Sequence, residues 1–132
     1  MKKFFILTLI LLLTACGNNN AADNEKGATV MYQQITQDEA KRIMDSNEDI
    51  VILDVREQDE FDEGHIPGAV LLPYTEIEDK SEEMIPDKYN QILVYCRSGR
   101  RSKIAAASLA NLGYTNVKEF GGIIDWKYEV EQ

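Results

Sequence analysis

The apolar run Ile92-Leu93-Val94-Tyr95, which ends in Cys96-Arg97-Ser98-Gly99-Arg100-Arg101-Ser102 and leads into Ile104-Ala105-Ala106-Ala107-Ser108-Leu109, constrains the fold more than any other stretch. It reads as strand, tight loop and helix, with a cysteine at the strand's carboxyl end. A second run, Ile50-Val51-Ile52-Leu53-Asp54-Val55, is apolar without alternation and rich in β-branched side chains, as a strand buried on both faces requires. Two such strands, each followed by helix-forming sequence, predict an α/β domain built on a central, mostly parallel sheet flanked by helices. Open sheets of this kind place ligands in loops at the carboxyl ends of their strands, so the Cys96 loop is the candidate site.

The remaining elements follow from periodicity and punctuation. Thr36-Gln37-Asp38-Glu39 fits a capping box and predicts a helix to about Ser46, with Ala40, Ile43 and Met44 on its apolar face. Glu57 to Glu63 is a short acidic turn or helix, and the turn-rich Gly64-His65-Ile66-Pro67-Gly68 leads into a small strand over Ala69 to Leu72. Thr75 to Ile85 reads as a helix with Ile77, Met84 and Ile85 inward, stopped by Pro86. The helix after the loop is expected from Ser102 to Leu112, with Ile104, Ala105, Ser108, Leu109 and Leu112 inward and Gly113 closing it. Val117 to Phe120 is a last strand, and Gly121-Gly122 turns the chain into a closing helix around Ile124 and Trp126.

The loop carries the chemistry. The chain has a formal net charge of −9, yet four of its fourteen Lys and Arg residues (Arg97, Arg100, Arg101 and Lys103) fall within seven positions. Cations at a helix amino terminus oppose the helix dipole, so their clustering there points to an anionic ligand rather than to helix stability. The same cations and the helix terminus favour a thiolate at Cys96, which is expected at the mouth of a short amide-lined cup. Asp54 is the anomaly of the other strand: a carboxylate inside an apolar run needs hydrogen bonds, and a structural brace held by a neighbouring loop is the expected role. The acidic balance disfavours binding to nucleic acid.

The amino terminus is of a different kind. Met1-Lys2-Lys3 and the apolar Phe4 to Leu13 have the form of an export signal, too short to span a bilayer. The sequence Leu13-Thr14-Ala15-Cys16 resembles the lipobox of bacterial lipoproteins, which implies cleavage before Cys16 and a lipid anchor on it. Removing residues 1–15 takes two positive charges from the −9 and leaves −11. Residues 16–28 read as a flexible tether, twelve of them reaching on the order of 20 Å. Residues 29–132 then form one domain, exported, held at the membrane on its extracytoplasmic side and monomeric by default.

Several separated stretches together resemble the rhodanese-like family of single-domain sulfurtransferases: Asp54-Val55-Arg56-Glu57, Glu60-Phe61, Gly64-His65-Ile66-Pro67-Gly68-Ala69, Leu72-Pro73, the Cys96 loop, and Phe120-Gly121-Gly122-Ile123 before Trp126. The resemblance implies a rhodanese-like fold in which Cys96 takes up a sulfane sulfur as a persulfide from a small anionic donor and passes it to a thiol or cyanide. It implies that the loop amides of Arg97, Ser98, Gly99, Arg100, Arg101 and Ser102 cradle the anion, that Arg97 and Arg101 help hold it, that Asp54 and Arg56 support the pocket, and that His65 is structural. No metal or organic cofactor is implied. Two rivals stand beside this reading. A cysteine phosphatase or arsenate reductase generally wants five residues between cysteine and arginine, whereas Arg101 comes one position early. A persulfide carrier, sensor or partner-binding module would use the same residues without turnover.

Overall fold

The protein is described by a computed structural model covering residues 31–46 and 48–132. The expected signal, the tether and Cys16 lie outside these residues. Five parallel strands form one sheet: β1 (Gln33–Gln34), β2 (Ile50–Asp54), β3 (Val70–Leu71), β4 (Gln91–Cys96) and β5 (Val117–Gly122), in the order β1-β5-β4-β2-β3. The helices are α1 (Gln37–Asp45), α2 (Gln58–Glu63), α3 (Ile77–Met84) and α4 (Arg100–Asn111). From β2 the chain crosses to β3 on one side, and from β4 to β5 on the other. The strand order therefore reverses between β2 and β4, and the crevice of an open parallel sheet opens at the carboxyl ends of these two strands.

Burial on both faces explains the uninterrupted apolar runs. Leu53, Ile92 and Val94 pack with Ile77, Ile85, Ala105 and Leu109 beneath α3 and α4, while Ile52, Leu93, Tyr95 and Phe120 pack on the opposite face with Ala40, Ile66 and the flanking Trp126. Each fully buried Leu, Ile or Val contributes roughly 1.5–3 kcal/mol relative to exposure. The amino end of α1 forms as its sequence demands, with Thr36 Oγ1 accepting the Glu39 amide at 3.1 Å.

Some expectations change. The buried stripe of α4 is Ser102, Ala105, Ala106 and Leu109, and Ile104, expected inward, is exposed. The polar Ser102 sets the helix phase, because its hydroxyl is anchored to the sheet, and Ile104 lies about 200° round the helix from it. In α3 the stripe runs Ile77, Ser81 and Ile85, leaving Met84 exposed beside it in the last turn. The closing helix reduces to a 3-10 turn over Ile123–Asp125 with Ile124 exposed. The edge strand β1 went unpredicted: two exposed glutamines carry no strand pattern, and the pairing with Lys118 and Glu119 of β5 creates it.

Candidate active site

Cys96 is the last residue of β4, at the switch point between β2 and β4. The chain then turns through Arg97 and Ser98 to Gly99, whose φ of 102° is left-handed and suits glycine, and enters α4 at Arg100. This curl aims the Gly99 amide at Cys96, with N to Sγ at 3.0 Å, while the thiol meets Ser102 Oγ at 3.4 Å. The position at the strand end is as expected, but the exposure is not: Cys96 is 0% exposed rather than open at the mouth of a cup.

The loop is seated on β5. Register runs Ile92 to Val117 and Val94 to Glu119, then slips so that Cys96 faces Gly122. The slip is a one-residue bulge in β5, and it brings the Gly121-Gly122 backbone up beneath the loop. A Cβ at Gly122 would stand 2.0 Å from the Arg97 carbonyl oxygen and 2.5 Å from the Ser98 nitrogen. Only glycine fits, and the loop backbone rests on it.

The cations divide into two kinds. Arg97, Arg100 and Lys103 are exposed, as is Ser98. Arg101 is instead clamped by Glu60 of α2, its Nη1 and Nη2 donating at 2.7 and 2.8 Å to the two carboxylate oxygens. Those hydrogen bonds, with help from the Glu57 amide, pull the Glu60 carboxyl down to about 2 from 4.5. The Arg101 guanidinium is raised, chiefly by its hydrogen bonds to Glu60.

Asp54 is fully buried and well satisfied. It accepts from the Arg56 amide at 2.9 Å, from Arg56 Nε at 3.0 and 3.1 Å, from Arg56 Nη2 at 2.7 Å and from the Tyr95 hydroxyl at 2.7 Å. Its partners come from the end of its own strand and from β4, not from a neighbouring loop. Arg56 also donates to the Gly64 carbonyl at 2.7 Å, pinning the turn after α2. Burial works against the Arg56 charge, but the bonds to Asp54 outweigh it and raise its pKa. Burial likewise pushes the Tyr95 phenol well above its ordinary range. The triad braces the crevice beside Cys96 without touching the sulfur.

Chemically, a backbone N–H at the start of a helix aimed at a sulfur is an arrangement in which a thiol can serve as a nucleophile. Residues 36–129 match the rhodanese-like domain family. The chain belongs to that family. It is 38% identical over 99 residues to a thiosulfate sulfurtransferase, GlpE, of Coxiella burnetii, covering 74% of this chain and 90% of the relative. It is 36% identical over 73 residues to the Escherichia coli thiosulfate sulfurtransferase PspE, covering 55% and 70% respectively. A Bacillus subtilis protein whose name proposes a sulfur carrier, YrkF, is 36% identical over 99 residues, which is 74% of this chain but only 52% of that one. Among solved structures, an Escherichia coli rhodanese with anions superposes with a TM-score of 0.59 at 32% identity, covering 62% of this chain and 96% of that one. A Pseudomonas aeruginosa thiosulfate sulfurtransferase reaches a TM-score of 0.70 at 30% identity, over 76% of this chain and 20% of the other.

In this rhodanese-like domain His65 has a structural place: its ring stacks on Phe61 at 3.8 Å, and its backbone pairs with Glu131. Three residues of the site escaped the sequence. Tyr95 read as core, and Glu60 as part of an acidic run. Glu119 holds Ser102 Oγ at 2.7 Å and the Gly121 amide at 2.8 Å. A signal for it existed, since it is a carboxylate within a strand and is as anomalous there as Asp54.

Proposed function

We propose that the protein is a sulfurtransferase that moves a sulfane sulfur through a persulfide on Cys96. The observation that carries this reading is the Gly99 amide 3.0 Å from Cys96 Sγ at the head of α4. The thiolate attacks the outer sulfur of a donor such as thiosulfate; a sulfur–sulfur bond forms to Cys96, the donor's own sulfur–sulfur bond breaks, and sulfite leaves with the electron pair. A thiolate or cyanide then attacks the outer sulfur of the persulfide and the Cys96 thiolate is released. Arg97 and Arg100, exposed at the rim, draw the anionic donor, and Arg101 supports the loop from its pairing with Glu60. Because Cys96 is buried, the loop must open for the donor to reach the sulfur.

The relatives named as thiosulfate sulfurtransferases support turnover, and YrkF supports a carrier role for the same persulfide. The four-residue spacing between Cys96 and Arg101, together with the clamping of that arginine, weighs against a phosphatase. We place the domain outside the cytoplasmic membrane, tethered through a lipid on Cys16 and acting as a monomer. Treatment with thiosulfate followed by peptide mass spectrometry should add one sulfur to Cys96, and added cyanide should yield thiocyanate over many turnovers, both lost in Cys96→Ser. Loading without turnover selects the carrier, and no adduct on Cys96 removes both readings.

A further inference from the structure

Glu119 is a buried carboxylate that the sulfur chemistry above leaves unused, and it lies two hydrogen bonds from the nucleophile. It is 3% exposed, on the face of β5 that packs against α4. Among the described residues, no Lys, Arg or His nitrogen is within ion-pair distance of it. Its Oε1 accepts from Ser102 Oγ at 2.7 Å and from the Gly121 amide at 2.8 Å. Around Ser102 Oγ the Gly99 carbonyl at 3.0 Å and the Gly121 carbonyl at 3.4 Å are acceptors as well, and the Cys96 sulfur stands at 3.4 Å. A hydroxyl has one proton to give and two lone pairs to receive with. The arrangement therefore lets it take a proton from the thiol on one side while handing its own to the carboxylate on the other.

The geometry points to Glu119 as the proton store of Cys96, reached through Ser102; the inference rests on Cys96 being the nucleophile. The sulfur–hydrogen bond breaks and leaves its electron pair on sulfur, the proton passes to Ser102 Oγ, and the Ser102 proton passes to Glu119 Oε1. Nothing is oxidised or reduced, and the enclosure holds one negative charge before and after. In the product arrangement the protonated Glu119 donates to Ser102 Oγ, and Ser102 and the Gly99 amide both donate to the thiolate, so every polar group stays bonded. Losing the proton to solvent instead would leave two anions in one poorly solvated enclosure. A persulfide carries its charge on the outer sulfur, so the proton remains on Glu119 through both half-reactions.

The other charged groups around the pair are already engaged or turned outward. Asp54 is paired with Arg56 from β2, and Glu60 of α2 with Arg101 of α4. Arg97, Arg100 and Lys103 are exposed. Lys118, the neighbour of Glu119 on β5, donates to Gln91 Oε1. The strand β1 contributes only Gln33 and Gln34, with the partly buried phenol of Tyr32 preceding them.

Alkylation of Cys96 by iodoacetamide, read by peptide mass spectrometry across pH, reports the thiolate fraction and needs no sulfur donor. A pair that shares one proton partitions it internally, so the wild-type rate should change by less than about threefold between about pH 6 and about pH 8. Glu119→Gln keeps an oxygen for Ser102 and for the Gly121 amide but cannot take the proton. Its rate should climb about tenfold per pH unit, about a hundredfold over the window. Ser102→Ala cuts the path from the other side and should show the same slope. A wild-type rate that itself climbs tenfold per unit overturns the inference, as does a Glu119→Gln profile that superimposes on the wild type. Should either variant fail to fold, by circular dichroism, the other and the wild-type profile still decide. A level wild-type profile without sulfur loading would sink the proposed function and spare the proton store.

Discussion

Replacing Glu60 by Gln tests how much of the site is held by the clamp on Arg101. The carboxyl lies at about 2 in the folded protein against 4.5 for the ordinary group, chiefly through its two bonds from Arg101. A shift of that size corresponds to about 3 kcal/mol. Both side chains keep some solvent contact, 18% for Arg101 and 24% for Glu60. Screening by that solvent lowers the contribution to about 2 kcal/mol. Since the folded carboxyl is depressed, its stabilisation is complete above 4.5 and fades as pH falls towards about 2. Urea unfolding of wild type and Glu60→Gln at a series of pH values should show the variant weaker by about 2 kcal/mol at neutral pH. The gap should close through the acid range, with the urea slope unchanged. A gap below about 0.5 kcal/mol at neutral pH, or one that does not shrink on acidification, would refute the reasoning.

Gly122→Ala should cost about 2 kcal/mol or more by denaturation, because the new Cβ meets loop backbone at 2.0 Å and backbone cannot rotate away. Gly113→Ala, with open space around it but a φ of 97°, should cost only about 1 kcal/mol in the same assay. Tyr95→Phe removes the donor to Asp54 and the acceptor of the buried Ile66 amide, so it should lose about 2 kcal/mol in urea melts while leaving the Cys96 alkylation rate within about twofold. Arg101→Ala should weaken donor binding. It should also destabilise the fold by an amount close to that of Glu60→Gln, because this arginine is half-buried and paired rather than a loop cation in solvent.

The parallel core strands could be read from composition alone because a strand buried on both faces has no use for alternation, and Ile50–Asp54 and Gln91–Cys96 obey that rule. The place of Cys96 followed from strand, loop and helix in that order. The phase of α4 did not follow. Apolar periodicity put Ile104 inside, and a serine tied to a carboxylate from a strand seventeen residues further on put it outside. The seat of the loop was equally hidden, since it depends on a bulge in β5 and on how close Gly122 comes to Arg97.

By itself, then, the sequence determined the α/β class, the place of Cys96 at the end of a strand, the cluster of cations in the loop after it and the anomalous carboxylate at Asp54, all of them local patterns of hydrophobicity, charge and turn chemistry. Tertiary structure alone decided which distant polar groups meet: Arg101 with Glu60, Asp54 with Tyr95, and Cys96 through Ser102 with Glu119. The physical reason is distance along the chain. Hydrogen bonds and ion pairs reach about 3 Å, and only the closing of the sheet brings residues 41 positions apart within that reach.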